Sequence, residues 1–161
     1  MVVTGGSRGI GQGIASAFAA RGAQTVLVAA SLQNLTVAAD VIEKNGAIRP
    51  LIHAADLRTE AGCKSVHDEV IHAVGRCDIL VNSAGATQAG SFVDLPSETW
   101  HDGFALKFFS CVNLCRLFWP QLKASQGHVI NIIGGAARTP DPGFLIGGSV
   151  NAAMNNFTKG L

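Results

Sequence analysis

The pattern of apolar and polar residues alternates between two kinds of segment along the chain. Short apolar runs rich in β-branched residues predict five strands, at residues 1–5, Gln24–Ala30, Ala47–Ala54, Asp78–Asn82 and His128–Ile133. Longer stretches with apolar residues three and four positions apart predict five helices, at Ile10–Arg21, Leu32–Lys44, Thr59–Val74, Ser97–Lys123 and 147–161. The segment Gly134–Ile146 is rich in glycine and proline and is predicted to be a loop.

This alternation predicts the α/β fold class with a parallel sheet. Strands that are apolar throughout are typical of a sheet covered by helices on both faces, which gives three layers, α/β/α. Neither a linker nor an internal repeat divides the chain, so residues 1–161 are expected to form one doubly wound domain. Ligands of such sheets bind at the carboxyl ends of the strands, near the point where the strand order reverses.

Composition narrows the functions that this domain can have. Of the 161 residues, 48% are apolar and 14% are charged, which favours a folded globular domain. The net charge of +1 includes no basic stripe, so nucleic acid is not an expected partner. Apolar runs are too short to span a bilayer and the N-terminus lacks the pattern of a secretory signal, so a cytoplasmic location is expected.

The four cysteines are interpreted as buried structural thiols in a reducing compartment. They form no pair with metal-ligand spacing, although Cys111 and Cys115 stand four residues apart on a predicted helix. A metal held by these two thiols is the alternative, but no histidine accompanies them at ligand spacing. No metal site is therefore predicted.

The segment TGGSRGIG, Thr4 to Gly11, follows the first predicted strand and opens the first helix. Glycines at Gly5, Gly9 and Gly11 permit a tight turn and a close approach of backbone N–H groups to a pyrophosphate. A loop without ligand is the alternative for an isolated glycine trio, but the strand–loop–helix context is the one that dinucleotide binding requires.

Four motifs in the same order resemble the short-chain dehydrogenase/reductase family. They are the glycine loop, Asp56-Leu57 after the third strand, NSAG at Asn82–Gly85, and the closing NAAMNNFTKGL. The resemblance implies a Rossmann-type domain, of which this chain covers roughly the first two-thirds, with the C-terminal strands absent. It also implies a nicotinamide dinucleotide, bound by Thr4, Gly5, Ser7, Arg8, Gly9, Ile10, Gly11, Ser31, Asp56, Leu57, Asn82, Ala84 and Gly85.

The residues after the second strand favour NADP over NAD. Relatives that prefer NAD place an acidic residue at the end of this strand, where the chain has Ala30. Relatives that prefer NADP often carry arginine next to it, where Ser31 stands. Arg8 lies where a basic residue can meet a 2′-phosphate, and a solvated loop charge is its alternative interpretation. NAD remains the alternative cofactor.

The family's proton-transfer residues are replaced at every position. The resemblance places the tyrosine position on Gly147, the lysine on Asn151, the serine on Gly134 and the asparagine on Lys107, and the chain contains no tyrosine. Lys107 and Asn151 are therefore the candidate catalytic residues. Asn151 can hydrogen-bond a ribose but supplies no charge.

Lys107 lies inside an apolar stripe of its predicted helix, which also contains Trp100, Phe104, Phe108, Cys111, Cys115 and Phe118. Burial disfavours the charged amine, so its pKa is expected to fall. In one interpretation the amine points to the cofactor cleft and replaces the missing lysine. In the other it reaches a wet edge or bonds to backbone carbonyls.

Two functional hypotheses follow. The first is an NAD(P)-dependent oxidoreductase that transfers hydride between nicotinamide and a carbonyl or alcohol substrate, with a non-standard active site. The second is a non-catalytic dinucleotide-binding module, a sensor or a partner subunit. The other face of the long helix includes Leu106 and Phe109, which predicts a homo-oligomer through helices 97–124 and 147–161, as in relatives. Packing of this face within the core of a single chain is the alternative.

Overall fold

Five short strands form one parallel sheet in the computed structural model, which describes residues 1–161. The strands are β1 Val2–Thr4, β2 Val26–Ala29, β3 Leu51–Ala54, β4 Ile79–Asn82 and β5 His128–Asn131, in the order β3-β2-β1-β4-β5. The predicted doubly wound α/β fold is confirmed. β3 begins at Leu51 instead of the predicted Ala47, because Pro50 has no N–H to donate to a neighbouring strand.

Six α-helices cover the sheet and connect its strands. They are α1 Gly9–Ala19, α2 Leu32–Lys44, α3 Glu60–Val74, α4 Ser97–Phe104, α5 Ser110–Ala124 and α6 Leu145–Gly160. The Ser31 hydroxyl caps α2 by accepting from the Asn34 N–H, and the Thr59 hydroxyl caps α3 in the same way. None of the helices combines the length and the apolar character that a bilayer span requires.

Both faces of the sheet are buried at the central strands β1, β2 and β4, where successive residues point to opposite sides. In β1, Val2 belongs to the core beneath α3, α5 and α6, whereas Val3 belongs to the core beneath α1 and α2. Leu80 and Val81 of β4 divide in the same way. This arrangement explains why the strands lack polar alternation in the sequence.

The long predicted helix Ser97–Lys123 is not continuous. A π-helical turn, Ala105–Phe109, separates α4 from α5. A π turn contains an extra residue, so it rotates the side chains before it relative to those after it. Leu106, predicted on the interface face, instead lines a cleft at the end of the sheet, while Phe109 remains 53% exposed.

All four cysteines are free and buried, as predicted from their spacing. Burial raises the pKa of the Cys63 and Cys77 thiols to about 11. A hydrogen bond to Cys115, at 4.0 Å between the sulfurs, and burial together raise the pKa of Cys111. The same hydrogen bond lowers the pKa of Cys115. Cys63, Cys77 and Cys111 are therefore protonated at neutral pH and pack as small apolar groups.

The segment before α6 contains two 3-10 turns, Gly135–Ala137 and Pro142–Phe144, within the predicted loop. The helix itself begins at Leu145, two residues before the predicted start. The ring of Phe144 folds back over Gly147, and a Cβ atom added at Gly147 would lie 2.0 Å from its Cε1 atom. Glycine is required here because the ring occupies the space of any larger side chain.

We expect Gly147→Ala to lower the free energy of unfolding by about 1–3 kcal/mol, because the new methyl group overlaps the Phe144 ring. Urea unfolding followed by circular dichroism measures the change. The matched control is Gly148→Ala on the same helix, where the nearest atom, the Ala136 carbonyl oxygen, is 3.4 Å from the added Cβ. A second substitution, Phe144→Ala, should remove most of the penalty at Gly147, and additive losses would contradict the packing described.

Candidate functional site

A cleft of about 420 Å³ opens at the carboxyl ends of the strands, between the loops that follow β1 and β4. These two strands are neighbours in the sheet, although the chain between them runs outward through β2 and β3. The cleft therefore lies at the topological switch point, where doubly wound sheets bind ligands. Ten of the thirteen predicted cofactor residues line it: Gly5, Ser7, Arg8, Ile10, Gly11, Ser31, Asp56, Leu57, Ala84 and Gly85.

At the floor of this cleft, the main chain of the glycine loop packs closely against the main chain at the start of α1. A Cβ atom at Gly11 would lie 2.4 Å from the Gly5 carbonyl oxygen, so α1 can approach the loop only with glycine at this position. Gly9 has a φ of +57°, which favours glycine, and it lies outside the cleft lining at the start of α1.

The N-terminus of α1 differs from those of α2 and α3, because no side chain caps it. Its N-cap residue, Arg8, has an extended backbone and an exposed side chain. The first N–H groups of a helix attract an anion, and the helix dipole favours negative charge there. This end of the cleft therefore fits a pyrophosphate group, which would take the place of a cap.

Thr4 and Asn82 lie behind the cleft and do not line it. The Thr4 hydroxyl oxygen accepts hydrogen bonds from the N–H groups of Ser83 and Ala84, both at 3.0 Å. The Asn82 amide donates to Asn131 at 2.9 Å, while its own buried oxygen has no hydrogen-bond partner. Thr4 thus joins the end of β1 to the loop after β4, and Asn82 joins the ends of β4 and β5.

One end of the cleft is formed by the loop after β2. Ala30 and Ser31 line it together with Asn34, a residue that the sequence analysis did not single out. Ser31 caps α2 at 3.3 Å from the Asn34 nitrogen, so its hydroxyl lies at the N-terminus of a second helix. Arg8 also lines the cleft. This combination of a helix N-terminus, a hydroxyl and a guanidinium group suits a phosphate better than a ribose diol.

The loop after β3 contributes Asp56, Leu57 and Arg58 to the cleft. Leu57 is buried, at 3% exposure, whereas Asp56 is exposed. The guanidinium of Arg58 hydrogen-bonds to Asp102 of α4 and to Asp56, and these contacts raise its pKa. Sequence reasoning missed Arg58 because its partner Asp102 lies 44 residues away in the chain.

Lys107 lies on the π-helical turn and packs against Gly85 of the second loop. A Cβ atom at Gly85 would lie 2.9 Å from the Lys107 Cδ atom, so glycine leaves room for the lysine stem. The side chain is half-buried, and its amine makes no hydrogen bond or ion pair within the protein. Burial lowers the pKa of this amine. Lys107 borders the cleft but is not in its lining.

Asn151 contacts Gly134 and Gly147, two positions that the sequence analysis assigned to catalytic residues of the family. Its Oδ1 atom accepts from the Gly134 N–H at 2.7 Å, and its Nδ2 atom donates to the Gly147 carbonyl at 2.7 Å. The side chain is only 4% exposed. The segment after β5 and the first turn of α6 are thereby held together, and the Phe144 ring covers Gly147 beside them. No sequence signal marked Phe144, because its position depends on the turn before α6.

A family model described as short chain dehydrogenase matches residues 1–161. Among curated relatives, 11-beta-hydroxysteroid dehydrogenase-like 3 of Arabidopsis thaliana is 29% identical, over all of this chain and 52% of that protein. The 2,3-dihydroxy-2,3-dihydro-p-cumate dehydrogenase of Pseudomonas putida is also 29% identical, over 99% of this chain and 62% of that protein. The chain thus spans about half of the plant relative and less than two-thirds of the bacterial one.

Solved structures agree in fold. The L-sorbose reductase from Gluconobacter frateurii, complexed with NADPH and L-sorbose, superposes with a TM-score of 0.93 at 33% identity, over 99% of this chain and 61% of that one. A metagenomic short-chain oxidoreductase in complex with NADP gives 0.93 at 31% identity, over 99% and 72%. The full-length family match, together with the sheet order and the cleft at its switch point, establishes that this chain belongs to the short-chain dehydrogenase family.

Proposed function

We propose that the protein binds NADP(H) and acts as an oxidoreductase of the short-chain dehydrogenase type with a non-standard active site. The proposal rests on the cleft at the switch point. There the N-terminus of α1 has no side-chain cap, and the adjoining glycine loop is packed too closely for a side chain at Gly11. This geometry suits a dinucleotide pyrophosphate. The two structural relatives above were solved with NADPH and NADP, which supports the choice of cofactor class.

The preference for NADP over NAD rests on the groups around the loop after β2. Ala30 presents no carboxylate to the cleft, so nothing at this position accepts hydrogen bonds from both hydroxyls of an unmodified ribose. Arg8, Ser31 and Asn34 instead offer a positive charge and hydrogen-bond donors. The positive charge and the hydrogen-bond donors would both stabilise a bound 2′-phosphate. The ribose of NAD would lack the acidic partner that it usually has.

A bound nicotinamide would supply or accept the hydride, and this chain's residues would position it and handle the proton. Lys107 is the proposed proton donor, because its amine is partly desolvated, unpaired and adjacent to Gly85 at the cleft. A lowered pKa brings an amine closer to the range in which it exchanges protons at neutral pH. Asn151 keeps one amide hydrogen and one oxygen lone pair beyond its two internal bonds, and we propose that these meet the ribose.

A second function, a non-catalytic dinucleotide-binding module, is favoured by the contacts around Gly147. Asn151 is engaged by Gly134 and Gly147, and the Phe144 ring fills the space beside them. The place where the family's proton donor would stand is thus occupied by an aromatic ring that cannot donate. In this alternative the cleft senses the nucleotide or serves a catalytic partner.

We further propose that the protein self-associates through helices 97–124 and 147–161 and acts in the cytoplasm on a small carbonyl or alcohol substrate. Phe109 and Trp119 are 53% and 38% exposed on the first of these segments, which leaves apolar area for a second copy. The four free thiols suit a reducing compartment.

Calorimetric titration of the protein with NADPH and with NADH tests the cofactor proposal. We expect NADPH to bind at least about tenfold more tightly, as one charge-assisted contact to the 2′-phosphate would provide. Arg8→Met should remove most of this difference and leave NADH affinity nearly unchanged, with exposed Arg21→Met as the control. Failure of both nucleotides to bind would refute the proposed function.

Lys107→Met separates the two candidate functions. A panel of aldehydes and ketones is screened with NADPH, and the loss of NADPH absorbance reports turnover. If Lys107 donates the proton, the variant should lose about 100-fold or more in kcat and keep its affinity for NADPH, since a general acid typically contributes this much. Lys123→Met, exposed on α5, is the control. Undiminished turnover in Lys107→Met would exclude the lysine as donor, and no wild-type turnover on any substrate would favour the binding module.

The lowered pKa of Lys107 also predicts a pH dependence of stability. Between the folded pKa and the ordinary lysine value, the unfolded chain binds more protons than the folded one, so this residue's contribution to stability rises with pH. The gain in the free energy of unfolding of Lys107→Met over the wild type should therefore be largest at neutral pH. This gain should shrink as the pH approaches the ordinary lysine pKa. Urea unfolding at a series of pH values measures this difference, and a constant gain would contradict it.

A further inference from the structure

Lys107 differs in its burial from every other lysine and arginine of the chain. Of the twelve lysines and arginines, it is the only one that is not exposed. Its stem packs across Gly85, where an added Cβ atom would lie 2.9 Å from the Lys107 Cδ atom. A cation in such a place is destabilised unless an opposite charge lies beside it, because nothing else offsets the loss of hydration.

The protein itself supplies no counter-charge to this amine. The acidic residues on α4 and in the loop after β4 are Asp94, Glu98 and Asp102. None of them forms an ion pair with Lys107, and Asp102 is instead bound by Arg58. Burial alone lowers the pKa of the Lys107 amine, with no contribution from a neighbouring charge. An anionic group brought by a ligand would therefore stabilise the charged form of the amine.

The order of the strands indicates which part of a ligand would meet Lys107. The loop after β1 lies between the loops after β2 and β4, because β1 lies between those two strands. A dinucleotide with its pyrophosphate at α1 and its 2′-phosphate at the loop after β2 would therefore place its nicotinamide half at the loop after β4. Gly85 belongs to that loop, lines the cleft and contacts the Lys107 stem. A substrate that accepts hydride would thus lie beside Lys107.

We propose that the substrate is a 2-oxo acid, whose carboxylate pairs with Lys107 and whose carbonyl oxygen lies against the same ammonium group. This inference rests on the proposed function, because it requires a bound nicotinamide. An ammonium group has three N–H donors, so it can donate to a carboxylate oxygen and to the oxygen of the adjacent carbonyl at once. The carboxylate supplies the opposite charge that the protein lacks, and charge-assisted hydrogen bonds are stronger than neutral ones.

This pairing also provides the proton for the reduction. The carboxylate favours the charged amine, so Lys107 holds a proton when the substrate is bound. The carbonyl carbon accepts the hydride of the reduced nicotinamide, and the carbonyl oxygen accepts a proton from the Lys107 ammonium group. The products are a 2-hydroxy acid and NADP+, and the neutral amine takes a new proton from water.

Two other roles for Lys107 make different predictions. If the amine paired with a phosphate of the cofactor, Lys107→Met would weaken NADP+ binding and leave the affinity for acids unchanged. If the amine only donated a proton to uncharged carbonyl compounds, a 2-oxo acid would bind no more tightly than its uncharged amide. Only a pair between the amine and the substrate makes the ratio of these two affinities depend on Lys107.

The experiment is a calorimetric titration of the protein saturated with NADP+, which cannot reduce the ligand. The ligands are pyruvate and phenylpyruvate, each compared with its uncharged amide. We expect the acid that binds more tightly to exceed its amide by at least about tenfold in affinity, as a charge-assisted contact provides. Lys107→Met should reduce this ratio to below about twofold and leave NADP+ affinity unchanged.

Lys107→Arg separates binding from proton transfer. Arginine retains the positive charge, so the ratio should stay above about fivefold, but a guanidinium group does not release its proton and turnover with NADPH should be lost. Lys123→Met, exposed on α5, is the matched control and should leave the ratio unchanged.

Three results would overturn the inference while the proposed function stands. They are acids that bind no more tightly than their amides, the failure of both acids to bind in the presence of NADP+, and a ratio that Lys107→Met leaves unchanged. If the protein binds neither NADPH nor NADP+, the inference and the proposed function are both overturned.

Discussion

The hydroxyl of Thr4 holds together the two loops on which the cleft depends. It is buried at the end of β1, accepts hydrogen bonds from the backbone N–H groups of Ser83 and Ala84, and donates to the Val81 carbonyl. These contacts bring the glycine loop against the segment after β4, where a Cβ atom at Gly5 would meet the Ala84 backbone at 3.0 Å. A buried hydroxyl that satisfies several backbone groups at once is costly to replace.

The π-helical turn positions two side chains, Leu106 and Lys107, at or beside the cleft. Leu106, which the regular helical pattern predicted on the interface side, lies on this turn and lines the cleft. The same turn places the stem of Lys107 across Gly85 and leaves its amine partly desolvated, which lowers the pKa of the amine. π turns are frequent at functional sites because they re-aim side chains without ending a helix.

The corner around Gly147 is rigid for a different reason. Phe144 fills the space above the glycine, and the Asn151 amide ties Gly134 to the first turn of α6. Gly134, Gly147, Asn151 and the Phe144 ring thus form one packed unit. The cleft at the switch point is open, whereas this corner is filled by the Phe144 ring and held by the hydrogen bonds of Asn151. This contrast is the physical basis for weighing an oxidoreductase against a binding module.

The sequence by itself determined the sheet, its helices and the position of the cleft. Apolar strand runs and helical spacing are local patterns, and the glycine loop with NSAG marks the strand ends that meet at the switch point. Only the tertiary structure decided how the side chains around the cleft contact one another. The Arg58–Asp102 contact spans 44 residues, the π turn changes the register of the long helix, and the Phe144 ring folds over Gly147. Each of these features depends either on packing between distant segments of the chain or on a local change in helical hydrogen bonding. The periodicity of apolar residues in the sequence predicts neither.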